Sequence, residues 1–146
     1  MGGNQMKQAP AIVVILEDNP ARVEIMRGVV AKLPGNFELC HFDSVGALRV
    51  ADLRHVRLIS LDFSLDSSSV QRPGTGMDAV EFLIRQHDPI CPVIVHTLST
   101  ADSRRMAEAL KEKGWAVRQV NFGTRDRAEL WWTAAMELMG MMDAQA

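Results

Sequence analysis

Residues 11–22 read AIVVILEDNPAR, an unbroken apolar run of largely β-branched side chains that ends abruptly in Glu17 and Asp18. A strand with one face in water alternates apolar with polar residues, whereas a continuous run suits a central parallel strand buried on both faces. Asn19 can cap a following helix and Pro20 suits its first turn, after which Val23, Met26, Val30 and Leu33 fall on one helical face. Pro34 and Gly35 stop that helix. The stretch is thus a β-then-α unit with paired acids at the carboxyl end of its strand.

The alternation repeats along the chain. FELCHF (37–42) predicts a second strand, a helix follows from about Ser44 to Arg54 capped by Asp43, and VRLISLDF (56–63) predicts a third strand closed by Asp62. The polar, Gly- and Pro-punctuated segment SLDSSSVQRPGTG (64–76) is a loop, followed by a helix over 77–86 and a strand in PVIVHT (92–97). A helix from about Ala101 to Lys113 ends at Gly114, WAVRQVNF (115–122) supplies a fifth strand, and the last helix runs from about Arg125 to Met141. Five such units predict an α/β fold of three layers, a parallel five-stranded sheet in the order 2-1-3-4-5 covered by helices on both faces. In that order the chain reverses direction between strands one and three, which leaves a ligand-binding crevice at their carboxyl ends.

That crevice is where the acids fall. Glu17 and Asp18 close strand one and Asp62 closes strand three, so neighbouring strands bring these carboxylates together from distant parts of the sequence. Like charges this close raise one another's pKa, and the site either holds a proton or recruits a cation. Hard oxygen donors favour magnesium, which takes one or two carboxylates and keeps several waters.

The remaining composition bounds the alternatives. The chain has 146 residues, 47% apolar and 23% charged, with a net charge of -2, the profile of an ordinary globular domain. Residues 1–10 read as a loose leader and 11–142 as a single domain, with no output domain expected. Lys and Arg are scattered rather than clustered, which argues against nucleic acid as a partner. Cys40 and Cys91 lie in no metal-binding or disulfide pattern. No signal segment or run of roughly 18 apolar residues appears, so the expected location is cytoplasmic, without membrane contact. The last helix has an apolar arc of about 200°, wider than the roughly 100° that one sheet face needs. Trp131, Trp132 and Met139 on that arc are therefore candidates for an interface with a second copy or a partner protein, together with strand five.

The order of these features resembles the receiver domains of two-component response regulators, over residues 12 to about 139. The carrying segments are VVILEDNPAR (13–22), SLDFSL (60–65) and PVIVHT (92–97). The resemblance implies the flavodoxin-like (βα)5 receiver fold and a stand-alone phosphorelay protein whose partner is a histidine kinase or another phosphodonor. It makes Asp62 the phosphoacceptor and Glu17, Asp18, Asp62 and the main-chain carbonyl of Ser64 the Mg2+ ligands, with Thr97 as the switch hydroxyl. Catalysis in such a receiver comes mostly from positioning and from a metal that offsets charge, the donor supplying much of the chemistry. The lysine that receivers carry near the end of strand five is missing from VRQVNFG (117–123), where Asn121 is the nearest positional candidate for a phosphate contact.

The segments SLDFSL, GTGMDAVEFL (74–83) and VIVHTLSTADSRRM (93–106) also resemble the receiver variants proposed to process cyclic phosphates. Under that reading the protein is an enzyme, with His96 as acid or base. Phe63 and Ser64 stand where that variant tends to have His and Asp. A further alternative is a pseudo-receiver that carries out no chemistry and docks a partner.

Overall fold

The computed structural model describes residues 9–66 and 68–142; Ser67 and most of the leader expected at 1–10 lie outside the described residues. Strands β1 (Ala11–Leu16), β2 (Phe37–Phe42), β3 (Val56–Leu61), β4 (Val93–Thr97) and β5 (Val117–Asn121) alternate with helices α1 (Pro20–Ala31), α2 (Val45–Arg49), α3 (Gly76–Gln86), α4 (Thr100–Glu112) and α5 (Arg127–Leu138). The strands form one sheet in the order β2-β1-β3-β4-β5, parallel at every pairing, as the alternation predicts.

Successive strand residues point to opposite faces, and each face has its own core. Val14, Leu16, Ile59, Leu61, Val93 and Val95 face α2, α3 and α4, packing with Val80, Leu83, Met106 and Leu110. Val13, Ile15, Leu58, Ile94 and Val120 face α1 and α5, packing with Met26, Val30, Trp131 and Ala135. Among the described residues no helix is long and apolar enough to cross a membrane.

Two helices are shorter than their patterns predict. Helix α2 is capped by Ser44, whose hydroxyl accepts from the Ala47 amide, and it ends at Arg49 instead of Arg54. There the Asp52 carboxylate accepts the Arg54 amide at 3.0 Å, a local turn that competes with helix, and Leu53 turns inward to be buried. Helix α5 begins after a turn closed by Arg127 N–H on the Thr124 carbonyl. It stops at Leu138 because Gly140 takes φ +69° and Met141 N–H returns to the Met136 carbonyl, a left-handed C-terminal cap.

Candidate functional site

The carboxyl end of β1 is joined to β3 on one side and β2 on the other by ladder bonds that run past the strands themselves. Asp62 N–H donates to the Leu16 carbonyl at 3.0 Å, and Glu17 N–H donates to the Phe42 carbonyl at 3.0 Å. This fixes Glu17, Asp18 and Asp62 side by side, with one oxygen of each within 4.8 Å of the others. The three side chains are almost wholly buried, at 0%, 3% and 6% exposure respectively.

Asp62 is backed by the start of α3. Gly76 N–H donates to the Phe63 carbonyl at 2.8 Å, and a Cβ on Gly76 would stand 2.3 Å from the Asp62 carbonyl oxygen. Only glycine permits that approach. Thr75 caps α3 reciprocally with Asp78, which holds the helix start in place. One oxygen of Asp62, Oδ1, accepts from Phe63 N–H at 2.8 Å. The other, Oδ2, is buried and has no hydrogen-bond partner among the described residues.

Glu17 has a different environment. Its Oε2 accepts from the amides of Asp18 (3.1 Å) and Asn19 (3.0 Å) and from the Arg22 guanidinium (3.1 Å), while Oε1 pairs with His96 Nε2 at 3.0 Å. Behind it a buried polar line continues along the α1/α5 face of the sheet: His96 Nδ1 lies 2.6 Å from Ser60 Oγ, which accepts from the Trp131 indole N–H at 2.9 Å. The Trp131 N–H donates to Ser60 and the Nε2–H of His96 donates to Glu17, so the buried indole and imidazole each have an acceptor.

These surroundings drive the two carboxyls apart. Burial alone would raise Glu17, but its bonds to His96, Arg22 and the Asn19 amide outweigh that and hold it at about 2. Asp62 is pushed up to about 6, first by burial and then by the negative charge of Glu17, against the pull of His96, Arg22 and the Phe63 amide. Burial works against the charge on Arg22, yet Glu17, Asp62 and Asp18 keep it firmly a cation.

The other expected residues fall as follows. Thr97 ends β4 and is buried; its Oγ1 accepts from Ser99 N–H at 3.4 Å. Asn121 pairs with Thr97 across the sheet, is exposed, and folds its Oδ1 back onto Gly123 N–H at 2.7 Å. Ser64 is exposed, with its hydroxyl on Asp66 at 2.9 Å. His96 has 0% exposure and both ring nitrogens engaged. Trp131, a candidate interface residue on the sequence pattern, is instead wholly buried: its ring packs in the α1/α5 core and its N–H is bonded to Ser60. Trp132 and Met139 are half-buried on the same helix.

Arg22, Ser60 and the bond made by Trp131 have no counterpart in the sequence reading. Asp18 and Arg22 stand four apart across a helix start, a spacing that brings charges together. Ser60 and His96 are polar residues at inward positions, two residues after the apolar Leu58 and Ile94 on the same face of their strands.

The sheet order and an acidic pocket at the ends of β1 and β3 define a receiver domain. Within that class, a model of the cyclic-phosphate processing receiver domain matches residues 12–112, and the chain belongs to this family. Solved structures share the fold. The signal receiver domain of a putative Luxo repressor protein from Vibrio parahaemolyticus is 20% identical, with a TM-score of 0.66 over 90% of this chain and 92% of that one. The phosphorylated cyanobacterial phytochrome response regulator RcpA is 16% identical, with a TM-score of 0.62 over 94% and 97%. The receiver domain of a sensor histidine kinase from Pseudomonas aeruginosa PAO1, with a magnesium ion coordinated in its active-site cleft, is 19% identical, with a TM-score of 0.60 over 90% and 99%. No curated protein matches the sequence.

Proposed function

We propose that this receiver acts in two-component phosphorelay signalling, binding a divalent cation, Mg2+ by preference, and accepting a phosphoryl group on Asp62. The observation that carries the proposal is the buried Asp62 Oδ2, which accepts no hydrogen bond among the described residues and stands beside the carboxylates of Asp18 and Glu17 with only the Arg22 guanidinium, 3.7 Å away, to offset its charge. A buried carboxylate oxygen without a donor is costly unless a cation or a reacting group meets it. The donor set is all oxygen, which fits magnesium. Asp18, Asp62 and the Ser64 carbonyl would hold the ion. Glu17, whose oxygens already take four hydrogen bonds, would assist by shaping the pocket. When bound, the ion offsets the negative charge that gathers on the phosphoryl oxygens.

In the transfer, the ionised Asp62 carboxylate attacks phosphorus. A P–O bond forms as the bond to the donor's leaving group breaks, and that group departs with the electron pair. The product is an aspartyl phosphate. The Thr97 hydroxyl, at the end of the adjacent strand, would meet a new phosphoryl oxygen and pull the start of α4 with it. A histidine kinase or a small acyl phosphate would serve as donor, in a cytoplasmic setting, and the face of β5 and α5 around Trp132 and Met139 would pass the change to a partner or second copy. Incubation with acetyl phosphate and Mg2+, read by intact mass, should add one phosphate, and the adduct should vanish in Asp62→Ala. No adduct on the wild type, or an adduct that survives the substitution, defeats the reading.

Family membership favours a second reading, hydrolysis of a cyclic phosphate. Water would then attack phosphorus and the ring P–O bond would break, its oxygen taking a proton, with His96 acting through Glu17. A panel of cyclic nucleotides and cyclic-phosphate RNA ends tests this: turnover lost in Asp62→Asn supports it, and no turnover across the panel removes it.

A further inference from the structure

We propose that Arg22 is a resident counter-cation of the acidic pocket, which a divalent ion must displace and which then pairs with the phosphoryl group on Asp62. This rests on the reading of the pocket as a divalent-cation site. A single guanidinium nitrogen, NH2, lies 3.1 Å from Glu17 Oε2, 3.7 Å from Asp62 Oδ2 and 4.0 Å from Asp18 Oδ1. Among the described residues no other cationic nitrogen comes within 4.0 Å of Asp62. The first of these contacts is a hydrogen bond; the other two are charge attraction alone. Arg22 is therefore anchored by Glu17 and only leans on the pair of aspartates.

Two consequences follow from those distances. A magnesium ion bound at about 2.1 Å from a carboxylate oxygen keeps several waters around it, and a nitrogen 3.7 Å from Asp62 Oδ2 stands inside that shell. The ion and the guanidinium tip compete for one volume and for the same charge. Arg22 does not leave the pocket when displaced, because Glu17 is itself immobilised by His96 and by the amides of Asp18 and Asn19. The tethered guanidinium keeps donors to spare and suits the planar, forked recognition of phosphate oxygens. Arg118 and Arg125 do not substitute for it: Arg118 is exposed and sits 4.0 Å from Glu137, and Arg125 is exposed beyond β5.

Substitution should move two quantities in opposite directions. By calorimetric titration with Mg2+, Arg22→Gln should bind the ion about tenfold more tightly than wild type, since the competing charge is gone. At saturating Mg2+ its rate of phosphate incorporation from acetyl phosphate should fall about a hundredfold, the scale of losing one donor to transition-state charge. Arg22→Lys keeps the charge and loses the fork; its Mg2+ affinity should stay near wild type while its rate falls. Unchanged or weaker Mg2+ binding by folded Arg22→Gln overturns displacement, and an undiminished rate overturns the phosphoryl contact. If Arg22→Gln does not fold, the Arg22 Nε–H resonance of the wild type decides, assigned by its loss in Arg22→Lys. It should move on saturation with Mg2+, and a fixed resonance overturns the inference. Binding by the wild type with no gain in Arg22→Gln defeats this inference alone. Absence of binding in both defeats the pocket reading with it.

Discussion

The two faces of the sheet are made by the same alternating strands, yet they treat their last residues differently. Under α2, α3 and α4 the inward positions stay apolar to the ends of β1 and β3, at Leu16 and Leu61. Under α1 and α5 the apolar rows Val13–Ile15, Leu58 and Ile94 give way to Glu17, Ser60 and His96, which His96 joins into one buried line ending at Trp131. The first face is held by area removed from water, which is insensitive to pH. The second trades part of that stabilisation for a fixed Glu17, and through it a fixed Arg22, beside an under-satisfied Asp62. A polar line of this kind is tolerable only when each member has its partner.

Removing the hub of the line should have the largest effect. Glu17→Ala leaves His96, Arg22 and two amides without their acceptor, and urea denaturation should show a loss of about 3–5 kcal/mol. Leu83→Ala on the apolar face should cost a comparable ~2–5 kcal/mol. The two should differ in their pH response. Glu17 is held at about 2, so its stabilisation is present above the ordinary carboxylate range and fades as pH falls toward 2. The deficit of Glu17→Ala should shrink in acid, and that of Leu83→Ala should not. The faces meet at Gly76, where α3 touches the Asp62 backbone. Gly76→Ala should cost up to about 3 kcal/mol in the same assay and weaken Mg2+ binding, because a methyl group there must push Asp62 aside.

Asp62→Asn should move the other way. The folded pKa of Asp62 lies near 6, above its ordinary value, so its contribution to stability is fully present below about pH 4 and lost as pH rises through 6. Without divalent ions, the amide should be more stable than wild type by on the order of 2 kcal/mol at pH 8 and not at pH 4. Equal melting curves at both pH values would place Asp62 in an ordinary environment. The smallest effect sharpens the line itself: a double-mutant cycle between Ser60→Ala and Trp131→Phe should give a coupling of about 1 kcal/mol, and zero would mean the indole bond is incidental.

Much of this was legible before the structure. AIVVIL and VRLISL announce strands buried on both sides, and once they are placed side by side Glu17, Asp18 and Asp62 must converge. Helix limits were less legible where a short-range bond wins, as Asp52 does over the end of α2. The line from Glu17 to Trp131 was not legible as a line, because its members are 36 to 79 residues apart and each alone looks like a stray polar or apolar residue. His96 could be read from sequence as a structural imidazole or as an acid or base, and its bond to Glu17, 79 residues away, is visible only in the fold. The helix pattern placed Trp131 and Trp132 on one broad arc, and only packing separates the wholly buried ring from the half-buried one.

That separation gives the protein a pair of optical probes one residue apart. Trp131 sits in a dry, rigid surrounding with its indole proton held by Ser60, so its emission belongs at the blue end of the tryptophan range and resists aqueous quenchers. Trp132 borders a cleft of about 450 Å³ between α1 and α5 and meets water. Light excited in the same helix therefore carries two colours, one tied to the pocket through the buried polar line and the other to whatever settles on the surface.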